Sequence, residues 1–384
     1  MIQFEYHNPA RIIFGCGKVG AVGGLAQTYG HKALVVTSGS SQRTGLLPRV
    51  LALLGQAGVE QVVFDKVKAN PLTTMVQEGA ALAKREQCDL VIGLGGGSAM
   101  DAAKAVAFLA INDGDVTEYM FGAKQGTGAL PVILITTTAG TGSEGNNIAV
   151  LTNPDSNDKK GLKSPFMYAK ASIVDPELLM TLPKRSIAGP GLDALFHAME
   201  AYVAKRSNPM SEMIALEAIS LSAQYLPQVY AEPENIEAWE KVALANTLGG
   251  MAIDAAGTTL PHGLEHPVSG LLNAPHGEGL AALFVPIMKF TYRAVPAKYA
   301  RIAGAMGESI AGLSVEKAAV KSIEAMETLL RRLNMTPKLG DFGVREENID
   351  WLADNALKIM KANIENNPRV PTRDEIKEIY KNSL

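Results

Sequence analysis

Leu90-Val-Ile-Gly-Leu-Gly95-Gly-Gly-Ser98-Ala-Met-Asp101-Ala-Ala-Lys104 decides how this chain folds. An aliphatic run breaks into three glycines and continues as an alanine-rich helical pattern, so it reads as strand, tight turn and helix. Bare glycines let backbone amides approach a ligand closely, and the start of a helix favours an anion. A pyrophosphate is the natural guest. The spacing is not G-x-G-x-x-G, so chemistry rather than motif points to a dinucleotide. The plain alternative is a tight turn with Asp101 and Lys104 as a solvated pair.

Working outward, the same alternation recurs. Arg11-Ile-Ile-Phe14, Ala33-Leu-Val-Val-Thr37, Gln61-Val-Val-Phe64, Leu90-Val-Ile-Gly-Leu94 and Val132-Ile-Leu-Ile135 are predicted strands, with helical stretches at Gly45–Gly55, Thr73–Arg85 and Ala99–Ala110. That pattern predicts a Rossmann-like parallel sheet covered by helices. Near Leu182-Pro-Lys-Arg-Ser-Ile-Ala-Gly-Pro190 the texture changes to long patterns rich in Ala, Leu, Glu and Met. We therefore expect an α/β dinucleotide-binding domain over 1–185 and an all-helical metal-binding, catalytic domain over 186–384. Ligands of open α/β sheets lie outside the carboxyl ends of the strands, which places a cofactor at the domain junction.

Composition narrows the function. At 384 residues the chain can bury a large core, and 47% hydrophobic against 20% charged residues with a net charge of −3 is an ordinary soluble balance. It offers no basic footprint for nucleic acid or a membrane surface. Cys16 and Cys88 are too few for a disulfide framework, which fits a reducing cytoplasm. The start lacks a basic and then apolar leader, and the longest strongly apolar stretch, Gly279 to Met288, is about half of what a spanning helix needs.

Two further loops leave predicted strands. Ile135-Thr-Thr-Thr-Ala-Gly-Thr-Gly-Ser-Glu144 gathers small hydroxyls where a cofactor can lie, or where they form turns with their own backbone. Val36-Thr-Ser38-Gly-Ser-Ser41-Gln-Arg43 follows the second strand. An acidic residue at such a strand end binds the ribose hydroxyls of NAD and repels a 2′-phosphate. Here stand Ser38, Ser40, Ser41 and Arg43, which favours NADP(H) over NAD(H) unless this is an ordinary polar turn.

Four of the six histidines fall within the segments Gly191-Leu-Asp-Ala-Leu-Phe-His197, Pro261-His-Gly-Leu-Glu-His266 and Ala274-Pro-His-Gly277. Asp193 and His197 are four apart and share a helix face. One carboxylate with several imidazoles suits iron(II) or zinc, and a metal so held polarises a substrate oxygen. Any one of these residues alone is better read as a satisfied helix residue. The clustering argues for the set, but spacing does not separate His262 from His266.

Together these segments resemble the iron-containing, or group III, alcohol dehydrogenases, among them lactaldehyde reductases and butanol dehydrogenases. The resemblance spans nearly the whole chain through Phe14-Gly-Cys-Gly17, Asn70-Pro71, Gly95-Gly-Gly-Ser-x-x-Asp-x-x-Lys104, Thr137-Thr-Ala-Gly-Thr-Gly-Ser-Glu144, Asp175-Pro176, Gly191-x-Asp-Ala-x-x-His-Ala-x-Glu200, His262-Gly-x-x-His266 and Pro275-His276-Gly277. It implies a dehydroquinate synthase-like architecture and hydride transfer between NAD(P)(H) and a small alcohol or aldehyde. Asp193, His197, His262 and His276 then match the ligands of ferrous iron, or of zinc, and His266 the nearby proton-handling residue. Gly95, Gly96, Gly97, Ser98 and Ala99 match the pyrophosphate loop. Thr137, Thr138 and Thr141 match the nicotinamide strip, and Asn70 and Lys159 further cofactor contacts, with Lys160 adjoining. Ser38 stands where NAD-preferring members carry Asp. A homodimer or larger homo-oligomer is implied as well.

The chain departs from the family at Gly145-Asn146-Asn147, which is expected to put two carboxamides near the substrate mouth. A dehydroquinate synthase-type lyase would need Lys and Arg beside the metal motifs, and Pro261 to Gly279 contains none. A glycerol dehydrogenase fits the Gly-Gly-Gly-Ser and Pro-His-Gly contexts less well. A non-catalytic nucleotide- or metal-binding protein would be expected to have lost a ligand, and none is lost.

Overall fold

The computed structural model describes residues 2–384. It divides into an α/β unit, Asn8–Leu182, and a helical unit comprising Pro183–Leu384 with the segment up to His7. The division falls inside the Leu182–Pro190 stretch where the texture changes, three residues before the expected boundary at 185.

In the α/β unit the strands are β1 (Ile12–Phe14), β2 (Lys32–Thr37), β3 (Glu60–Phe64), β4 (Leu90–Gly95), β5 (Val132–Thr136), β6 (Ile148–Asn153), β7 (Asp158–Lys163) and β8 (Ala171–Val174). Six make one sheet in the order β1-β8-β5-β4-β2-β3, parallel throughout. Its helices include α1 (Val22–Tyr29), α2 (Leu46–Gln56), α3 (Thr73–Arg85) and α4 (Gly97–Leu109). Alternate strand residues feed opposite faces. Leu34, Val36, Val91 and Leu134 pack with the apolar side chains of α3 and α4. Ala33, Val35, Ile92 and Ile133 pack with those of α1 and α2. Burial on both faces is why the strands read as continuous apolar runs rather than alternating ones.

Three strands escape the sequence reading. β8 is only four residues long, yet it sits between β1 and β5. β6 and β7 form a separate antiparallel pair, turned through Asn157 at φ +57°. The expected Phe-Gly-x-Gly and Asp-Pro elements meet here. The Asp175 carboxylate, just past β8, accepts the backbone N–H groups of Gly17 and Val19 at 3.2 and 3.0 Å, so both are structural.

The strand order places the loops. From β2 the chain builds outward to β3, whereas from β4 it builds the other way through β5 to β8. Direction therefore reverses between neighbouring β2 and β4, and the crevice beyond their carboxyl ends is where such sheets bind ligands. The helical unit contains α5 (Arg185–Val203), α6 (Pro209–Ala231), α7 (Ile236–Ala256), α8 (Leu260–Leu272) and α9 (His276–Thr291), with further helices to Arg373–Asn382. No helix among the described residues is long and apolar enough to cross a membrane.

Candidate cofactor loops and metal cage

The three expected cofactor loops leave the carboxyl ends of adjacent strands β2, β4 and β5. The glycines of the second loop serve the third. A Cβ added at Gly96 would lie 2.8 Å from Thr138 Oγ1, and one at Gly97 would lie 2.2 Å from Thr141 Cγ2. Both positions must stay bare for the two loops to close on each other. Gly96, Ser98, Thr137, Thr138 and Thr141 keep partial exposure, while Gly95, Gly97 and Ala99 are buried.

Asp101 and Lys104 are not a solvated pair. Both are buried. Lys104 Nζ donates to the carbonyl of Ser143 (3.0 Å) and to Asn146 Oδ1 (3.1 Å). Asp101 accepts from Ser143 Oγ (2.5 Å) and the Val150 N–H (2.9 Å). Burial pushes the Asp101 carboxyl above its usual range, against the pull of Lys104 and these hydrogen bonds. The pair pins the threonine-rich loop to α4. This also corrects the expectation for Asn146, which is engaged by Lys104, Gly142 and Ile148 rather than lining a substrate mouth; it and Asn147 are both buried.

Other expected contacts divide. Ser38 and Ser40 lie at the surface end of β2 with their hydroxyls 2.7 Å apart. Ser41 turns inward instead, 3.0 Å from Thr37 Oγ1 and 3.4 Å from the Leu94 carbonyl. The short helix Gly39–Arg43 carries it onto the β2–β4 seam, so its hydroxyl is withdrawn from the ligand edge. Asn70 takes a left-handed turn (φ 49°) before Pro71, whose carbonyl accepts the Thr152 N–H at 2.9 Å. Thr152 pairs in register with Lys159. The fold thus gathers Asn70 and Lys159, far apart in sequence, around Thr152, whose buried hydroxyl has no hydrogen-bond partner. Strand alternation separates the adjacent lysines: Lys159 is buried, whereas Lys160 reaches the ring of Phe121, 5.2 Å from its centroid.

In the helical unit, Asp193 and His197 share one face of α5, and α8 carries His262 and His266 one turn apart. α8 ends where Asn273 takes the left-handed conformation (φ 52°), and Pro275 starts α9 so that His276 is its first residue. Gly277 permits the approach to α5, because a Cβ there would lie 2.3 Å from the carbonyl oxygen of Gly189.

Three imidazoles converge on one oxygen. The Nε2 atoms of His197, His262 and His276 lie 3.7, 3.4 and 3.7 Å from Asp193 Oδ1. Around a cation with ligand distances near 2.0–2.2 Å, tetrahedral donors stand about 3.3–3.6 Å apart. Asp193 Oδ1 and His262 Nε2 are buried and face each other at 3.4 Å, and neither has a hydrogen-bond partner. Buried polar atoms in that condition call for an ion. Burial would raise the Asp193 carboxyl, but His197, His276 and His262 hold it at about 2. Burial would likewise lower His262, yet the Glu200 and Asp193 carboxylates push it up to about 10. The cluster therefore stabilises added positive charge, and its donor set fits iron(II) or zinc. The His266 ring stands at the edge of the cluster, 5.9 Å from that of His262 and 5.6 Å from that of His276.

Two buried carboxylates were not singled out by the sequence reading: Glu200 meets His262 Nδ1 at 2.5 Å, and Glu265 meets His276 Nδ1. Their signal was present, since each lies three residues after a candidate ligand on the same helix.

A parallel α/β unit with nucleotide-type loops, joined in one chain to a helical unit with a carboxylate–imidazole cage, defines a dehydroquinate synthase-like fold. Residues 9–176 match the model described as iron-containing alcohol dehydrogenase, and residues 187–384 that of the Fe-containing alcohol dehydrogenase family, C-terminal. The chain is 36% identical to an NAD-dependent methanol dehydrogenase of Bacillus methanolicus, over 98% of each chain. It is 37% identical to a 1,3-propanediol dehydrogenase of Klebsiella pneumoniae, over 100% of this chain and 99% of that one. A solved structure of an archaeal halo-thermophilic alcohol dehydrogenase from a Red Sea brine pool matches it with a TM-score of 0.96 and 36% identity, covering all of both chains. The chain belongs to the iron-containing alcohol dehydrogenase family. It is an alcohol dehydrogenase and aldehyde reductase that moves a hydride between a nicotinamide cofactor and its substrate.

Proposed function

We propose that Asp193, His197, His262 and His276 hold a ferrous ion, which zinc can replace, and that the enzyme interconverts short primary or secondary alcohols and their carbonyl partners. The convergence of three Nε2 atoms on Asp193 Oδ1 carries this reading. The metal supplies Lewis acidity toward the substrate oxygen. His266 would take the hydroxyl proton in oxidation and return it in reduction. The cofactor carries the redox step, so the α/β unit has only to hold and orient it. Gly95 to Ala99 would hold the pyrophosphate, Thr137, Thr138 and Thr141 the nicotinamide half, and Asn70 and Lys159 the remaining cofactor groups. The methanol and propanediol relatives support a short substrate.

The test is to strip the protein of metal, restore it separately with Fe(II) and Zn(II), and follow nicotinamide absorbance with short aldehydes. Turnover that returns with iron establishes the reading. Metal binding without turnover under any combination sinks it.

NADP(H) is the preferred cofactor in this proposal. Ser38 presents no carboxylate to a 2′-phosphate, and Arg43 folds back until Nη1 stands 3.2 Å from the Cβ position of Gly39. Ser38→Asp is expected to lower kcat/KM for NADPH by about 10–100-fold, since a like charge costs up to several kcal/mol, while NADH turnover is kept. Equal ratios of the two cofactors in wild type and variant would refute it. We also take the enzyme to work as a homo-oligomer in the cytoplasm, which light scattering and fractionation of cells test.

A further inference from the structure

The cage has a second layer, and it crosses between helices. His262, on α8, is met at Nδ1 by Glu200 of α5. His276, on α9, is met at Nδ1 by Glu265 of α8. Both carboxylates are buried. In each ring the opposite nitrogen, Nε2, faces Asp193 Oδ1. A carboxylate at Nδ1 fixes the proton there, which leaves the Nε2 lone pair aimed into the cage. The remaining carboxylate oxygens are also engaged. Glu200 Oε2 accepts the Thr259 N–H at 2.7 Å and stands 3.3 Å from its hydroxyl, and Glu265 Oε1 accepts from Ser269. Neither glutamate can swing away without losing a second bond.

We propose that Glu200 and Glu265 are positioning residues of the metal centre, each fixing the tautomer and aim of one imidazole and raising its basicity. The inference rests on the metal reading above. It also assigns Glu265 a place behind the ligands. Glu265, His266 and His276 by themselves form a group close enough to hold an ion. However, the Glu265 oxygen faces the ring nitrogen of His276 that points away from Asp193, so it serves the ligand rather than the metal. Glu200 has a rival role as well, since its bond to the Thr259 N–H caps the start of α8. A purely structural glutamate would leave the metal's electronic environment untouched.

Cobalt(II), added alone to the metal-free enzyme, separates these roles. Its affinity is read by competition with a chromophoric chelator and its coordination by the visible d–d bands, for wild type, Glu200→Gln, Glu265→Gln and His262→Ala. The expected result is tight binding by wild type, loss in His262→Ala, and binding weakened about 10–100-fold with shifted bands in each Gln variant, as orienting partners of ligands show. Wild-type affinity with unchanged bands overturns the proposal. Complete loss of cobalt in Glu265→Gln, as in His262→Ala, also overturns it for that residue by making it a ligand. If wild type binds no cobalt, the metal reading itself has failed, and this inference with it. Should a Gln variant not fold, by circular dichroism of the metal-free protein, the Asp variant at that position gives the same readout. It keeps the charge and withdraws it by one methylene, so it should bind more weakly with shifted bands, and unchanged binding again overturns the proposal.

Discussion

Asp193→Asn is expected to give a folded protein that retains its cofactor, holds no metal and loses about 10³-fold or more in kcat/KM. The substitution keeps the shape of the side chain and removes only its charge. That charge is the point on which three imidazole nitrogens converge at 3.4–3.7 Å. A neutral carboxamide is a poor partner for a dication and can turn an N–H group toward the three rings. The Lewis acid contributes several kcal/mol of transition-state stabilisation, and each 1.36 kcal/mol is tenfold in rate. Elemental analysis of the purified variant, nicotinamide absorbance for turnover and fluorescence titration with NADPH check the three parts separately. Stoichiometric iron together with wild-type turnover would remove Asp193 from the ligand set. Lost cofactor binding would show that the change had spread beyond the cage, because the proposed cofactor loops belong to the other unit.

Much of this architecture was legible because each signal was local. Strands buried on both faces appear as apolar runs, and the loops at their ends stand out by their glycines and hydroxyls. Asp193 and His197 four apart already place two donors on one helix face. What stayed hidden depends on contacts distant in sequence. β8 is too short to announce itself, and its place beside β1 and β5 comes from tertiary pairing. Spacing alone left His262 and His266 equivalent. The close packing of Gly277 on Gly189 helps bring His276 to Asp193, and the resulting cluster includes His262 Nε2 while His266 stands at its edge. Ser41 and Asn146 show the opposite error. Both look like surface polar residues in a loop, yet each is drawn inward to satisfy a buried partner, the β2–β4 seam for one and the Lys104 ammonium for the other. Burying such a cation without acceptors would be far more costly than hiding a carboxamide.

Gly97→Val should separate the cofactor loops from the metal cage. Even a single Cβ at this position would stand 2.2 Å from Thr141 Cγ2 and 2.5 Å from its Oγ1, so the loops after β4 and β5 have to part. Thr141 has little room to yield, because its loop is pinned to α4 through Ser143, Asp101 and Lys104. Overpacking of this kind costs about 1–3 kcal/mol, and valine belongs at the upper end. Expressed in the pyrophosphate site, that cost raises the NADPH dissociation constant by up to about 10²-fold, at about 1.4 kcal/mol per decade. Iron content should stay at the wild-type level, since the cage belongs to the helical unit. Calorimetric titration with NADPH and elemental analysis on one preparation measure both. Gly97→Ala, whose single methyl meets the same Thr141 side chain with less bulk behind it, should weaken NADPH less than Gly97→Val does, a graded loss that a general loss of folding would not give. A folded Gly97→Val protein that binds NADPH as wild type does would mean that the glycines serve only the packing of one loop on another, and the cofactor would have to be sought elsewhere on the sheet.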